Sequence, residues 1–497
     1  MDIAVQHPPL LRRSVVDLGS NSVRLVIYEG ELRNPIQIFN ERAVLRLAKG
    51  MTSTGRLQDD SLVQTATVLH RYSNIAKAMG AGPVEVLATS AVRDAENGPD
   101  FVRAMMERLP DLHISVLSGK EEATLSAEGV LCGIPGANGI LADLGGGSLE
   151  LVELDNGKVG KAATLPVGVI RLAEQASDNI ARARLIMTEA LTSVPFIGDA
   201  AGKDLYLSGG AFRALARIHI AQTGYPLNIV HHYTINREEA RDLAGVISEG
   251  GRKLVERMPG TPRRRIEDLP YAAVILRRLL RATGAARVVF SANGLREGWY
   301  CRLLPSEIRA EDPLLANSRD LAHGTMRDKN LPLALVNWTE SLFPGETPAQ
   351  KRLRTAACWL SDLGSHEHPE YRAEQAFMRV LRQAGMSLDH HARAFLALTI
   401  AVRYEALPDS GFLAPARALL DMQAAKRAET LGTGLRLAYT LSAGTPHLLA
   451  GTRLSLTPVS LVLSLEAANG VFAGEAVLRR LENLAMMLGR DAETLIR

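Results

Sequence analysis

The sequence predicts an α/β chain in which two similar lobes face each other, followed by an α-helical domain and a small α+β appendage. Three observations predict it. A ten-residue pattern occurs twice, 126 residues apart, each time where an apolar strand turns into a second strand. Two later segments read as strand, small-residue turn and helix. From about Asp312 onward apolar residues recur every three or four positions, the period of a helix packed on one face.

The two copies are Asp17-Leu18-Gly19-Ser20-Asn21-Ser22-Val23-Arg24-Leu25-Val26 and Asp143-Leu144-Gly145-Gly146-Gly147-Ser148-Leu149-Glu150-Leu151-Val152, identical at six of ten positions. Each reads as a β-hairpin, because alternating apolar strands flank a tight turn of small residues. Glycine lets backbone N–H groups approach an anion without a Cβ in the way, and Ser20, Asn21, Ser22 and Ser148 add side-chain donors. One glycine turn alone is as well explained as a loose hairpin. Two copies with matched Asp and Ser point to a pair of anion cradles able to hold successive phosphates. Where the first copy carries Arg24 the second carries Glu150, on equivalent faces of their strands. A cation suits a phosphate chain, whereas the carboxylates Asp143 and Glu150 suit a hard ion such as Mg²⁺ or an attacking water.

Between the hairpins, VEVLATSAVRDAENG reads as a buried strand delivering Arg93 to a cleft; the plainer alternative is a surface arginine paired with Asp94 or Glu96. HISVLSGKEEATLSAEGVLCG then reads as strand into helix, with Ser118 as N-cap and Glu121 as its capping-box partner. Glu122 has no such duty. It sits in the first turn, where the helix dipole favours a carboxylate, either as a base or simply as a favourable charge.

Further along, KDLYLSGGAFRALARI and ARVVFSANGLREGWY are the two strand–turn–helix segments. Arg265, within RRRIEDLP, reads as a far-end contact for an anionic substrate or as part of a solvated basic loop. RLRTAACWLSDLG, AEQAFMRVLRQAG and HARAFLALTIAVRYE carry the helical period, and the last stretch alternates as strands before an amphipathic helix. These boundaries divide the chain into lobes 1–130 and 131–311, a helical domain 312–445 and a C-terminal domain 446–497.

With 57 basic against 54 acidic residues the net charge is +3, so no global field suits nucleic acid. No long charge-free apolar run appears, and the N-terminal stretch lacks the pattern of a signal peptide; the expectation is a cytoplasmic protein with no membrane association. Cys132, Cys301 and Cys358 are far apart in sequence and flanked by apolar residues, which reads as buried thiols rather than disulfides or a zinc site.

VVDLGSNSVRLVIYE, ATSAVRDA, LSGKEEATLSAEGV, LADLGGGSLELVE, LYLSGGAFRAL and SANGLREG occur in the order and approximate spacing of the exopolyphosphatase and guanosine pentaphosphate phosphohydrolase family, which residues 11–305 closely resemble. The resemblance implies two actin-like (ribonuclease H-like) lobes with an interlobe cleft. It implies an exopolyphosphatase that releases terminal orthophosphate from inorganic polyphosphate, with guanosine pentaphosphate as the alternative substrate. Glu122 looks like the base that activates water, Asp143 and Glu150 like the Mg²⁺ and water-positioning carboxylates, and Arg93 like a catalytic cation. Asn21, Gly145, Gly146, Gly147, Ser148 and Arg93 resemble the phosphate-binding set, with Arg24 on a more distant phosphate. The helical domain resembles an HD-type metal hydrolase whose His-Asp pair here reads Ser361-Asp362, so no metal is expected there, and by analogy with relatives a homodimer is. The competing classes are a sugar- or acetate-type kinase and a non-catalytic polyphosphate sensor.

Overall fold

The computed structural model describes residues 11–30, 32–385, 387–466 and 473–497; the N-terminal stretch read for a signal lies mostly outside them. The chain forms two compact units, Met1–Ala310 and Glu311–Arg497.

The first unit holds two sheets of corresponding order. In the first, β1 (Arg12–Leu18), β2 (Ser22–Glu29), β3 (Ile36–Val44), β4 (Val84–Ala88) and β5 (Leu112–Val116) run in the order β3-β2-β1-β4-β5. The second contains β6 (Gly139–Leu144), β7 (Leu149–Asp155), β8 (Lys158–Leu165), β9 (Asp204–Ser208), β10 (Tyr233–Asn236) and β11 (Arg287–Phe290), in the order β10-β11-β9-β6-β7-β8. Read from the hairpin edge, β8-β7-β6-β9-β11 repeats the first sheet, antiparallel through the hairpin and parallel beyond it. This is the actin-like lobe, built twice. The central strands are aliphatic runs buried on both faces, as a sheet covered on both sides requires.

Three helices matter for the site: α1 (Gly119–Gly133), α2 (Gly210–Gln222) and α3 (Leu295–Leu303). The last of these differs from the expected boundary of the second lobe at 311. Its Tyr300 and Cys301, with Leu304 just beyond it, are buried against Val15, Val26 and Leu87 of the first sheet, so the chain returns to lobe I after β11. Glycines make that return possible. A Cβ on Gly129 would lie 1.9 Å from the Gly294 carbonyl oxygen, and one on Gly298 would lie 1.9 Å from that of Leu125. At these two points no side chain fits between α1 and α3.

In the second unit α4 (Pro348–Leu360), α5 (His390–Arg403), α6 (Met422–Ser442) and α7 (Glu475–Leu488) supply most of the apolar faces. Asp362, from the degenerate Ser361-Asp362 pair, accepts the Arg327 backbone N–H at 3.1 Å and lies 3.8 Å from the Arg403 guanidinium. That guanidinium is sandwiched between Tyr404 and Tyr439. At the C-terminus β12 (Thr452–Leu456), β13 (Ser460–Leu465) and β14 (Asp491–Ile496) form a sheet. The parallel strand β14 was not expected; DAETLI is largely exposed and shows no apolar alternation, and only its pairing with β13 makes it a strand. No described helix is long and apolar enough to cross a membrane.

Candidate active site

The two repeated turns meet. A Cβ on Gly147 would lie 2.6 Å from the Ser90 hydroxyl and 2.9 Å from that of Ser20, and one on Gly146 would lie 3.2 Å from Ser20 Cβ and 3.7 Å from Asn21 Cβ. Ser20 and Ser90 share a hydrogen bond of 2.8 Å. The contact follows from the topology: each hairpin turn lies at the same end of its central strand, and Ser90, two residues beyond the end of β4, lies against both. On the rim, Arg171 of lobe II pairs with Asp94 of lobe I at 2.8 Å.

Four carboxylates converge there. Glu122 sits in the first turn of α1, which is closed by the Ser118–Glu121 capping box read from the sequence. Only 8% of its surface is exposed, and Arg93 Nη1 donates to its Oε2 at 2.7 Å. Burial raises its pKa from 4.5 to about 7; Arg93 opposes the rise, while Asp143 and Asp17 reinforce it. Asp143 and Glu150 are cross-strand partners on β6 and β7. Burial raises both, and Glu150, where repulsion by Glu122 and Asp143 adds to the burial, lies well above the usual carboxylate range. Asp143 accepts from the Ser126 hydroxyl at 2.5 Å. Asp17, at the equivalent place on β1, is raised by burial and held down by Arg296 and Arg24. A carboxyl near neutrality beside three others is the arrangement in which one group can accept a proton at working pH.

Arg93 bridges. Besides Glu122 it donates to the Leu117 carbonyl at 3.1 Å and to Asp94 at 3.1 Å, so the surface pairing read as an alternative and the cleft position are both real. Arg24 donates to Asn40 at 2.8 Å, and burial together with Arg296 and Arg213 lowers its pKa to about 10. Arg265 is no solvated loop residue. It pairs with Asp268 at 2.7 Å, is mostly buried against Gly210, and its charge acts on Arg42, which burial and that repulsion lower to about 10.

Sequence reasoning passed over Arg42, Arg213, Arg296 and Ser126. Arg213 on α2 is held by the Ala292 carbonyl at 2.8 Å, and Arg296 on α3 lies 3.8 Å from Asp17. Arg213 stands three residues after Gly210 and Arg296 two after Gly294, just beyond the small-residue turns already singled out in LSGGAFRAL and SANGLREG, so the same rule that selected Arg93 after a strand end would have found them.

Several buried polar atoms lack a hydrogen-bond partner: Glu150 Oε1, Ser148 Oγ and Arg296 Nη1. Buried polar atoms are ordinarily satisfied, so these fit an anion and a cation as missing partners. Among the described residues no group of three or more His, Cys, Asp or Glu side chains is arranged to hold a metal. Mg²⁺ does not need one, since it takes one or two carboxylates and completes its shell with water and phosphate oxygens; Asp143 with the orphaned Glu150 oxygen fits that mode.

The Ppx/GppA phosphatase family matches residues 26–307, and the C-terminal exopolyphosphatase domain matches residues 314–495. Retrograde regulation protein 2 of Saccharomyces cerevisiae is 27% identical over 433 residues, 78% of this chain and 72% of that protein. Exopolyphosphatase 1 of Mycobacterium bovis is 28% identical over 309 residues, 60% of this chain and 89% of that protein. A solved exopolyphosphatase from Cytophaga hutchinsonii superposes with a TM-score of 0.50 at 21% identity, covering 58% of this chain and 96% of its own, and so shares the fold.

Proposed function

The chain belongs to the Ppx/GppA phosphatase family, and from that premise we propose that it is an exopolyphosphatase that removes terminal orthophosphate from inorganic polyphosphate. The observation that carries this reading is the meeting of the two glycine turns beside a buried carboxyl raised to about 7.

In this reading the terminal phosphate lies between the Gly145–Ser148 turn and Ser20, Asn21 and Ser22, whose backbone N–H groups and side chains would supply donors, with Arg42 held at the Ser22 hydroxyl at 2.9 Å. Glu122 takes the proton from the attacking water, and Arg93 orients that carboxylate while offering its remaining N–H groups to the phosphoryl oxygens. Phosphoryl transfer is helped chiefly by positioning and by positive potential, which the arginines supply. Asp143 and Glu150 would hold Mg²⁺, whose contribution when bound is to neutralise charge on phosphate oxygens. Arg24, Arg42, Arg265 and Arg213 form a second cationic group beyond Asp17, suited to phosphates further along a chain. The same group suits the additional phosphates of guanosine pentaphosphate, which is the second substrate to test.

The test is orthophosphate release by the purified chain with Mg²⁺, from long polyphosphate and from guanosine pentaphosphate in parallel. The reading expects release from polyphosphate, reduced on the order of 10²–10⁴-fold in Glu122→Gln. Faster nucleotide turnover would reverse the substrate order. Tight polyphosphate binding without release in the wild type would make the protein a sensor, in keeping with the regulatory name of the yeast relative.

A further inference from the structure

Cys132 and Cys301, 169 residues apart in sequence, place their sulfurs 2.6 Å apart in the structure. Both are buried free thiols, as the sequence suggested; what their spacing did not show is that the return of α3 to lobe I brings them together. Cys132 is at the C-terminal end of α1, the helix that carries Glu122, and Cys301 is on α3, the helix that carries Arg296. These two helices cross on glycine, backbone against backbone, so the pair sits at a junction with little room to shift.

We propose that Cys132 and Cys301 are a reversible disulfide site, a covalent staple between α1 and α3 that forms under oxidants of the hydroperoxide class. A disulfide holds its sulfurs at about 2.05 Å, and the two sulfurs already lie side by side where α1 and α3 cross. Cys132 is the sulfur that reacts first. The neighbouring Cys301 thiol and the Arg33 guanidinium, whose Nη1 is 3.3 Å from Cys132 Sγ, hold its pKa below the usual thiol value, while Cys301 is pushed up. The Cys132 thiolate attacks one peroxide oxygen, the O–O bond breaks, and with hydrogen peroxide water leaves, giving a sulfenic acid. Cys301 then attacks that sulfur, the S–S bond forms, the S–OH bond breaks, and a second water carries away the oxygen and the thiol proton. The peroxide is reduced and two thiols are oxidised; a dithiol reductant restores them. The third cysteine, Cys358, lies in the other unit and burial pushes its thiol up to about 12, so it takes no part.

The experiment treats the full chain with hydrogen peroxide, then counts thiols after denaturation, maps linked peptides and records melting with and without dithiothreitol. The proposal expects one free thiol of three, a 132–301 linked peptide within one chain, and a reversible rise in the melting of the first unit on the order of 5 °C, because a long loop is closed. Phosphate release should persist, since the helices hardly move. Cys301→Ala and Cys132→Ala should each abolish the link and the rise, and Cys358→Ala should leave both. If either first-unit variant fails to fold, the wild-type peptide map decides alone. Three free thiols, a Cys132 sulfinic acid, a link to Cys358 or a link between chains would overturn the proposal.

Discussion

Replacing Arg93 by leucine should move the acid limb of catalysis upward by about two pH units. Arg93 Nη1 lies 2.7 Å from Glu122 Oε2, and both side chains are largely buried, with exposures of 19% and 11%. Removing one member of such a pair leaves the other charge uncompensated, at ~3–5 kcal/mol. Because the guanidinium is partly exposed we take the low end, and ~3 kcal/mol at 1.36 kcal/mol per unit is about two units. The midpoint for ionising Glu122 then goes from about 7 to about 9. At about pH 7.5 the ionised fraction falls from roughly three quarters to roughly 3%, a loss of about 25-fold from protonation alone. Any contact Arg93 makes with phosphate lowers the rate equally at every pH, so the midpoint separates the two effects. The assay is the pH profile of kcat/KM for orthophosphate release, which reports groups on the free enzyme. A midpoint still near 7 in Arg93→Leu would refute the assignment of Glu122 as the titrating base.

Three further outcomes follow from the same geometry. Glu122→Gln should stabilise the first unit at pH 8 and not at pH 4: a carboxyl raised from 4.5 to about 7 costs stability as pH rises between those values, up to roughly 3 kcal/mol, and amide substitution removes that cost; equal melting shifts at both pH values would contradict it. Gly147→Ala puts a methyl within 3 Å of the Ser90 and Ser20 hydroxyls and should cost ~1–3 kcal/mol by denaturant titration while raising KM; an unchanged KM would mean the turns need not touch. Because Glu150 and Asp143 are both raised, Mg²⁺ must displace protons, so the Mg²⁺ concentration for half-maximal activity should fall as pH rises, and a flat dependence would remove these two carboxylates from the metal's shell.

What was legible in the sequence was local or repeated. The hairpins were readable because strand alternation and small turn residues act over a few positions, and the repeat doubled the signal. The Ser118–Glu121 box was readable because its hydrogen bonds span one helical turn. What was not legible depends on where distant segments arrive. Cys132 and Cys301 meet only because α3 crosses α1 on Gly129 and Gly298, and a glycine within a helix does not say which distant helix will cross it. Arg296 follows a strand end and a small-residue turn much as Arg93 follows a strand end, but only the fold shows that it arrives beside Asp17. The strand β14 has no apolar alternation of its own and exists through its pairing with β13.

The central claim is that duplicated turns grip one phosphate beside Glu122. A crystal of the full chain soaked with Mg²⁺ and orthophosphate tests it most directly. The account predicts one phosphate held by both turns, through Gly145–Ser148 on one side and Ser20–Ser22 on the other, with Mg²⁺ on Asp143 or Glu150 and Glu122 facing the phosphorus through a water. Phosphate bound by one turn alone, or bound away from Glu122, would contradict it.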